Sequence, residues 1–111
     1  MRKLLLLLVI ITTPLYARNF TAQNQCAQGA IAASEAYNAE VYYTKKVNLA
    51  ALADRYDFRV IQQPFPVDHD KGLDALAYII KRLGEAGSDS VVEWELDWAT
   101  REFIKKVCLK L

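Results

Sequence analysis

Residues 26–37 read Cys-Ala-Gln-Gly-Ala-Ile-Ala-Ala-Ser-Glu-Ala-Tyr, and this alanine-rich stretch decides the fold class. Six alanines lie between Ala27 and Ala39, and alanine has the highest intrinsic helix propensity. Four residues recur at i, i+4, i+7 and i+11, a spacing that places them on one helical face: Cys26, Ala30, Ala33 and Tyr37. We expect a helix over residues 21–43 whose small side chains let another helix approach closely.

Two further helical patterns occupy the middle of the chain. The first pattern predicts a short helix that is capped by Asn48 and ends near Tyr56. Its apolar positions at helical spacing are Leu49, Leu52, Ala53 and Tyr56. The second spans residues 70–86, with Asp70 as its N-cap and Gly87 as its left-handed C-terminal residue. Its predicted core face consists of Leu73, Leu76, Ala77, Ile80 and Leu83.

A fourth helix is predicted to begin at a capping box and to continue to about Cys108. Ser90 and Glu93 match the Ser-x-x-Glu pattern of that box. The inward face is predicted to comprise Val92, Leu96, Ala99, Phe103 and Val107. Trp94 and Trp98 are rotated away from this stripe, so they either widen the core face or form an exposed interface. The chain is therefore predicted to be one all-α domain of four helices.

Residues 1–17 have the three-part layout of a cleavable secretory signal. Arg2 and Lys3 supply the positive start, residues 4–11 are an unbroken apolar run, and Ala17 is a small residue before the expected cut. The apolar run is shorter than the roughly 20 residues of a membrane-spanning helix, although an uncleaved anchor is the alternative. We expect a mature domain over residues 18–111 in the periplasm, or secreted, without stable membrane insertion.

The charge of the mature chain argues against nucleic-acid binding. Of the 14 basic residues, Arg2 and Lys3 belong to the leader, which leaves 12 against 13 acidic residues and a net charge of about −1. Domains that bind nucleic acids usually carry a clear basic excess. We therefore expect a protein partner rather than a nucleic acid.

Cys26 and Cys108 are the two cysteines of the chain and lie near opposite ends of the mature domain. An even count in an oxidising compartment favours a disulfide, with two free thiols or an intermolecular pair as the alternatives. Redox catalysis is not expected, because the chain has no Cys-x-x-Cys motif. Two cysteines and His69 are also too few for a zinc site.

Residues 57–71 are the least regular stretch of the chain. Pro64 and Pro66 prevent a helix around them and favour extended backbone at the residues before them. Because the segment is long and apolar, it either folds back on the core or presents its side chains to a partner. The candidate partner-binding residues are Phe58, Arg59, Phe65, Asp68, His69 and Asp70, with Trp94 and Trp98 as a second surface.

The sequence offers little for catalysis. His69 lies between two aspartates and could act as a general base, but no nucleophile is marked for it. The chain contains no glycine-rich phosphate loop, and no spacing singles out an acid–base pair of carboxylates. We predict that the protein is not an enzyme and uses no cofactor and no metal.

The leader, the small helical domain and the end-to-end cysteine pair resemble the small periplasmic immunity proteins of type VI secretion systems, in particular the amidase immunity (Tai) group. Cys26 in the first helix, Cys108 within Val107-Cys108-Leu109 and the segment between helices carry the resemblance. It implies a disulfide-stabilised, often homodimeric inhibitor that pushes a loop into the cleft of a peptidoglycan amidase. The alternative function is a structural or chaperone-like accessory protein of the envelope.

Overall fold

A computed structural model describes residues 19–44, 46–84 and 93–111. The helices are α1 (Phe20–Thr44), α2 (Leu49–Gln62), α3 (His69–Leu83) and α4 (Glu93–Lys106), and a 3₁₀ turn follows at Cys108–Lys110. No strand occurs within the described ranges. The predicted single all-α domain of four helices is confirmed. The predicted leader and residues 90–92 of the predicted capping box lie outside the described residues.

Helix α1 is the centre of the domain, because α2, α3 and α4 all pack against it. The predicted face is confirmed, since all four of its residues are fully buried: Cys26, Ala30, Ala33 and Tyr37. Ala32 and Ala36 are buried as well, although they lie on a different side of the helix. Small side chains around so much of its circumference let α1 accept several neighbours at close distance.

Helices α1 and α3 cross at two glycines, Gly29 and Gly72. A Cβ atom at Gly29 would lie 2.7 Å from the carbonyl oxygen of Asp68. A Cβ atom at Gly72 would overlap the hydroxyl of Tyr56 and lie 2.9 Å from the carbonyl oxygen of Gly29. Real Cβ contacts are not this short, so neither position has room for a side chain. The crossing also brings the Asp68 N–H to 3.0 Å from the carbonyl oxygen of Gln25.

The glycine crossing decides which face of α3 is buried. The prediction that Leu73 and Ala77 face the core is wrong, because both are exposed. The buried positions form a neighbouring stripe at i, i+3, i+4 and i+7: Gly72, Ala75, Leu76 and Ile79. Because Gly72 must face α1, the helix is rotated away from the orientation that its large apolar residues favour.

Both ends of α3 differ from the prediction. The N-cap is Asp68 rather than Asp70, and its carboxylate accepts a hydrogen bond from the Lys71 N–H at 3.1 Å. The helix ends before Gly84, which has φ +91°, a conformation that glycine adopts without the steric cost of a side chain. The Gly84 carbonyl accepts a hydrogen bond from the Tyr37 hydroxyl of α1 at 3.2 Å. The residue predicted to end the helix, Gly87, lies outside the described residues.

Helix α2 is longer than predicted. Its N-cap, Asn48, is confirmed, because its side chain accepts hydrogen bonds from two backbone N–H groups of the first turn. The prediction that the helix ends near Tyr56 is wrong, since it continues to Gln62. The first residue beyond the helix is Gln63, which has an extended backbone conformation, as expected for the residue before Pro64. Leu52 and Tyr56 are buried as predicted, whereas the other two predicted core positions are exposed, namely Leu49 and Ala53.

An ion pair joins α2 to α1. The Glu40 side chain is only 1% exposed, and its Oε2 lies 2.6 Å from Nε of Arg55. Removing the Arg55 side chain would leave the buried Glu40 carboxylate without this ionic partner, whereas Arg55 itself is 37% exposed. This contact therefore holds the middle of α2 against α1.

The two ends of the described domain meet at the disulfide. Cys26 and Cys108 are bonded and fully buried, with their Cα atoms 5.4 Å apart, which confirms the predicted intramolecular bridge. The side chain of Gln23 donates hydrogen bonds to the carbonyl oxygens of Leu109 and Leu111 at 3.1 and 3.2 Å. The covalent bond and these hydrogen bonds hold the 3₁₀ turn against α1.

Helix α4 completes the core against α1 and α3. Three positions of its predicted inward face are buried: Leu96, Ala99 and Phe103. The ring of Phe103 lies 6.0 Å from that of Tyr78 on α3, at a tilted angle. The described helix ends at Lys106 rather than at the predicted Cys108, because Cys108 lies in the 3₁₀ turn.

Candidate interaction surface

The connection between α2 and α3 comprises residues 63–68 and is shorter than the predicted segment of residues 57–71. Phe58 and Arg59 are therefore helical residues of α2, and His69 and Asp70 begin α3. Phe65 and Asp68 are the candidate residues that lie in the connection itself. Most of the predicted contact residues thus have a helical backbone, which limits their conformational freedom.

Hydrogen bonds hold the end of the connection in place. The Asp68 N–H donates to the carbonyl of Gln25 in α1, while the Asp68 carboxylate caps α3. The Tyr56 hydroxyl of α2 donates to the carbonyl oxygen of His69 at 2.7 Å. Burial of the Tyr56 hydroxyl, together with the nearby negative charges of Asp57, Asp68 and Asp70, raises its pKa to about 12. The hydroxyl therefore stays protonated as a donor at neutral pH.

The imidazole of His69 lies on the outer side of this network. Its Nε2 is 3.0 Å from Oδ1 of Asp57, and its Nδ1 is 3.8 Å from Oδ1 of Asp70. The imidazole ring also packs against the ring of Tyr56, with centroids 5.2 Å apart. Sequence reasoning did not identify Asp57, because this contact joins two helices that only the tertiary structure brings together.

Three large apolar side chains are exposed around the end of α2. Phe58 is 60% exposed, Ile61 is 82% exposed, and Phe65 in the connection is 53% exposed. Phe58 and Ile61 are neighbours at i, i+3 on one side of the helix. We call Phe58, Ile61 and Phe65 the apolar patch. Ile61 was not among the predicted contact residues, although its spacing from Phe58 was a signal that could have found it.

Charged groups border the apolar patch. Nη1 of Arg59 lies 3.7 Å from Oε2 of Glu35 on α1. Phe58 itself lines a shallow cleft of about 260 Å³ between α1 and α2, together with Ala39, Asp54, Arg55 and Arg59. The surface thus combines an apolar centre with ionic groups on the same helix.

The second predicted surface is exposed as well. Trp94 is 65% and Trp98 is 48% exposed, so these residues do not widen the core face. The guanidinium carbon of Arg82 lies 4.4 Å from the centre of a Trp98 ring, within the range of a cation–π contact. Sequence reasoning missed Arg82, because α3 supplies it to a tryptophan of α4. The structure leaves Trp94 and Trp98 on a different helix from the apolar patch and does not unite the two surfaces.

No group of histidine, cysteine, aspartate and glutamate side chains in residues 19–44, 46–84 and 93–111 is arranged to hold a metal ion. Within the same ranges, no helix has both the length and the apolar character needed to cross a membrane.

Comparison of the chain with protein-family profiles, with curated proteins and with solved structures found no significant match. The resemblance to the amidase immunity group stays a prediction from the leader, the helical pattern and the cysteine pair.

Proposed function

We propose that the chain is an exported periplasmic binding protein that inhibits a cell-wall-degrading effector, as an immunity protein does. The exposure of Phe58, Ile61 and Phe65 carries this proposal. Large apolar side chains that cluster on a surface are typical of protein–protein contacts, and aromatic residues are enriched among those that contribute most to binding. The apolar patch is the surface that would enter the cleft of the effector.

The groups around the apolar patch support an interface of this kind. Protein interfaces combine an apolar centre with a polar, solvent-accessible rim, and Arg59, His69 and Asp70 supply charged or ionisable groups here. The hydrogen bonds of Asp68 and Tyr56 hold the backbone before any partner arrives. Because this backbone is already ordered, less conformational entropy would be lost on binding.

The disulfide supports the proposed location. Disulfides form and persist in oxidising compartments such as the periplasm and are rare in the cytosol. The Cys26–Cys108 bond is fully buried and joins the first helix to the 3₁₀ turn. A chain that depends on this bond would need to fold after export, which agrees with the predicted leader.

A capture and inhibition assay tests the proposal. The variant Phe58→Ala/Ile61→Ala/Phe65→Ala removes the apolar patch, and Leu49→Ala/Leu73→Ala is a matched control that truncates exposed apolar side chains elsewhere. We expect the wild type and the control to capture an exported cell-wall hydrolase from the source cells and to inhibit its digestion of purified peptidoglycan. The patch variant should inhibit at least about 100-fold more weakly, or about 2.7 kcal/mol, because truncation at central interface positions commonly costs this much.

The possible results separate the parts of the proposal. If the patch variant inhibits as well as the wild type, the assignment of the surface is wrong. If no cell-wall hydrolase is captured and inhibited, the proposed function is wrong. Recovery of many unrelated envelope proteins with all three forms would instead favour the accessory-protein alternative. Because the replaced side chains are exposed, all three forms should unfold at similar temperatures.

A further inference from the structure

Residues of α3, α4 and the 3₁₀ turn contribute to a second concave surface, which lies along the C-terminal part of α4. A cleft of about 480 Å³ is lined by Trp98, Arg101, Glu102, Lys105, Lys106 and Lys110. Arg82 of α3 lies against the Trp98 ring, and Lys110 belongs to the 3₁₀ turn. We call this surface, including Arg82, the basic cleft.

The acidic group of the basic cleft is already neutralised. Oε1 of Glu102 lies 2.6 Å from Nζ of Lys106, and Oε2 lies 3.6 Å from Nη2 of Arg82. The hydrogen bond from Lys106 lowers the pKa of the Glu102 carboxyl, so the carboxylate stays ionised and engaged. Glu102 therefore leaves little negative charge available to repel an anionic ligand.

The remaining cations of the cleft differ in how far they are neutralised. Arg101 has an ionic partner, because its Nε lies 2.8 Å from Oδ2 of Asp97. Within residues 19–44, 46–84 and 93–111, Lys105 and Lys110 form no ion pair. The five cations of the cleft exceed the carboxylates of Glu102 and Asp97 by three charges. This local excess stands out in a mature chain whose expected net charge is about −1.

The helix dipole of α4 does not account for this arrangement. Basic residues in the last turn of a helix, such as Lys105 and Lys106, stabilise its negative end. That effect needs neither Arg82 from α3 nor Lys110 from the 3₁₀ turn. Arg82 lies against the Trp98 ring and Lys110 lines the same cleft, so the cleft combines positive charge with an exposed aromatic ring, which suits an anionic ligand that also has apolar atoms.

We propose that the basic cleft binds an acidic segment of a protein partner, with carboxylates at Lys105 and Lys110 and an apolar side chain against Trp98. This site lies outside the apolar patch and does not depend on the function proposed for that patch. A short segment is favoured over a lipid surface or a nucleic acid. Outside the cleft the mature chain carries an excess of acidic residues, which would repel an extended anionic surface across distances of roughly 10 Å.

A peptide titration tests this proposal on the oxidised mature chain. The probe is a fluorescein-labelled octapeptide of glutamates with one central leucine, and the same peptide with glutamines is its neutral control. We expect the acidic probe to raise the fluorescence anisotropy and to shift the NMR signal of the Trp98 indole N–H, and both effects should weaken with added salt. Lys105→Glu/Lys110→Glu should reduce the affinity by at least about tenfold, because it replaces attraction by repulsion. The matched control Lys46→Glu/Lys81→Glu reverses two charges elsewhere and should change it by less than about twofold.

Three results would overturn the proposal: no binding of the acidic probe, equal weakening by both charge-reversed variants, or tighter binding to vesicles containing phosphatidylglycerol than to the peptide. The variant Phe58→Ala/Ile61→Ala/Phe65→Ala should still bind the probe. The experiments therefore distinguish a wrong assignment of the basic cleft from a wrong assignment of the apolar patch.

Discussion

The replacement Gly72→Ala tests the helix crossing that positions the candidate surface. At an exposed position inside a helix, alanine in place of glycine stabilises by about 1 kcal/mol. At Gly72 we expect the opposite sign. The new Cβ atom would overlap the Tyr56 hydroxyl, lie 2.8 Å from Cζ of the same ring, and lie 2.9 Å from the Gly29 carbonyl oxygen.

The size of the expected stability loss follows from the groups that must move to make room for the new Cβ atom. Relieving the overlap requires a shift of Tyr56 or of α3 against α1, and overpacking of this kind costs about 1–3 kcal/mol. Displacing Tyr56 also breaks its hydrogen bond to the His69 carbonyl, which contributes about 1 kcal/mol. After the gain in helix propensity is subtracted, we expect a net loss of about 2 kcal/mol. For a domain of this size, such a loss lowers the Tm by roughly 8–16 °C.

Thermal unfolding followed by circular dichroism measures the effect, and a double-mutant cycle with Tyr56→Phe identifies its source. Tyr56→Phe alone should cost about 1 kcal/mol because it removes the hydrogen bond. In combination with Gly72→Ala, it also removes the oxygen atom that overlaps the new Cβ. The double variant should therefore be more stable than the sum of the single effects predicts.

A result of the opposite sign would refute this reasoning. If Gly72→Ala has a Tm equal to or above that of the wild type, the two helices do not approach as closely as Gly29 and Gly72 indicate. Ala53→Gly, at an exposed position of α2, is a suitable control for helix propensity. It should destabilise by about 1 kcal/mol without any change in packing.

Two further predictions concern the disulfide and Tyr56. Reduction of Cys26–Cys108, which joins positions 82 residues apart, should lower the free energy of unfolding by about 4.5 kcal/mol through loop entropy; a Tm unchanged by reductant would contradict this. The Tyr56 hydroxyl should ionise near pH 12, because burial raises its pKa from 10.0. The folded state then keeps a proton that the unfolded state releases, so stability should fall as the pH rises from 10 towards 12. Absorbance titration of tyrosinate should show a late step that is smaller in Tyr56→Phe, because burial also raises the pKa of Tyr37, and complete titration near pH 10 in the folded protein would disprove the burial.

Local sequence patterns predicted the central helix well. The face formed by Cys26, Ala30, Ala33 and Tyr37 is buried as expected, because helix propensity and periodicity are properties of neighbouring residues. The same reasoning ended α2 too early. Phe58 and Ile61 continue the helix but point away from the core, so the apolar pattern no longer marked a buried face.

The candidate surface was predicted only in part. Phe58 and Phe65 were identified from the apolar segment around the prolines, and both are exposed. The contact of His69 with Asp57 was not predicted, because it joins α2 to α3. The cation–π contact of Arg82 with Trp98 was missed for the same reason, since the two residues belong to different helices.

By itself, the sequence determined that the chain forms helices and which two cysteines could form an intramolecular disulfide, and the structure shows that they do. Alanine-rich composition favours helices locally, and a chain with two cysteines allows only one intramolecular disulfide. The tertiary structure decided which face of α3 is buried, which aspartate caps it, and which apolar side chains stay in solvent. These outcomes depend on contacts between distant residues, above all Gly29 with Gly72. A close approach between two backbones overrides the orientation that larger apolar side chains would favour.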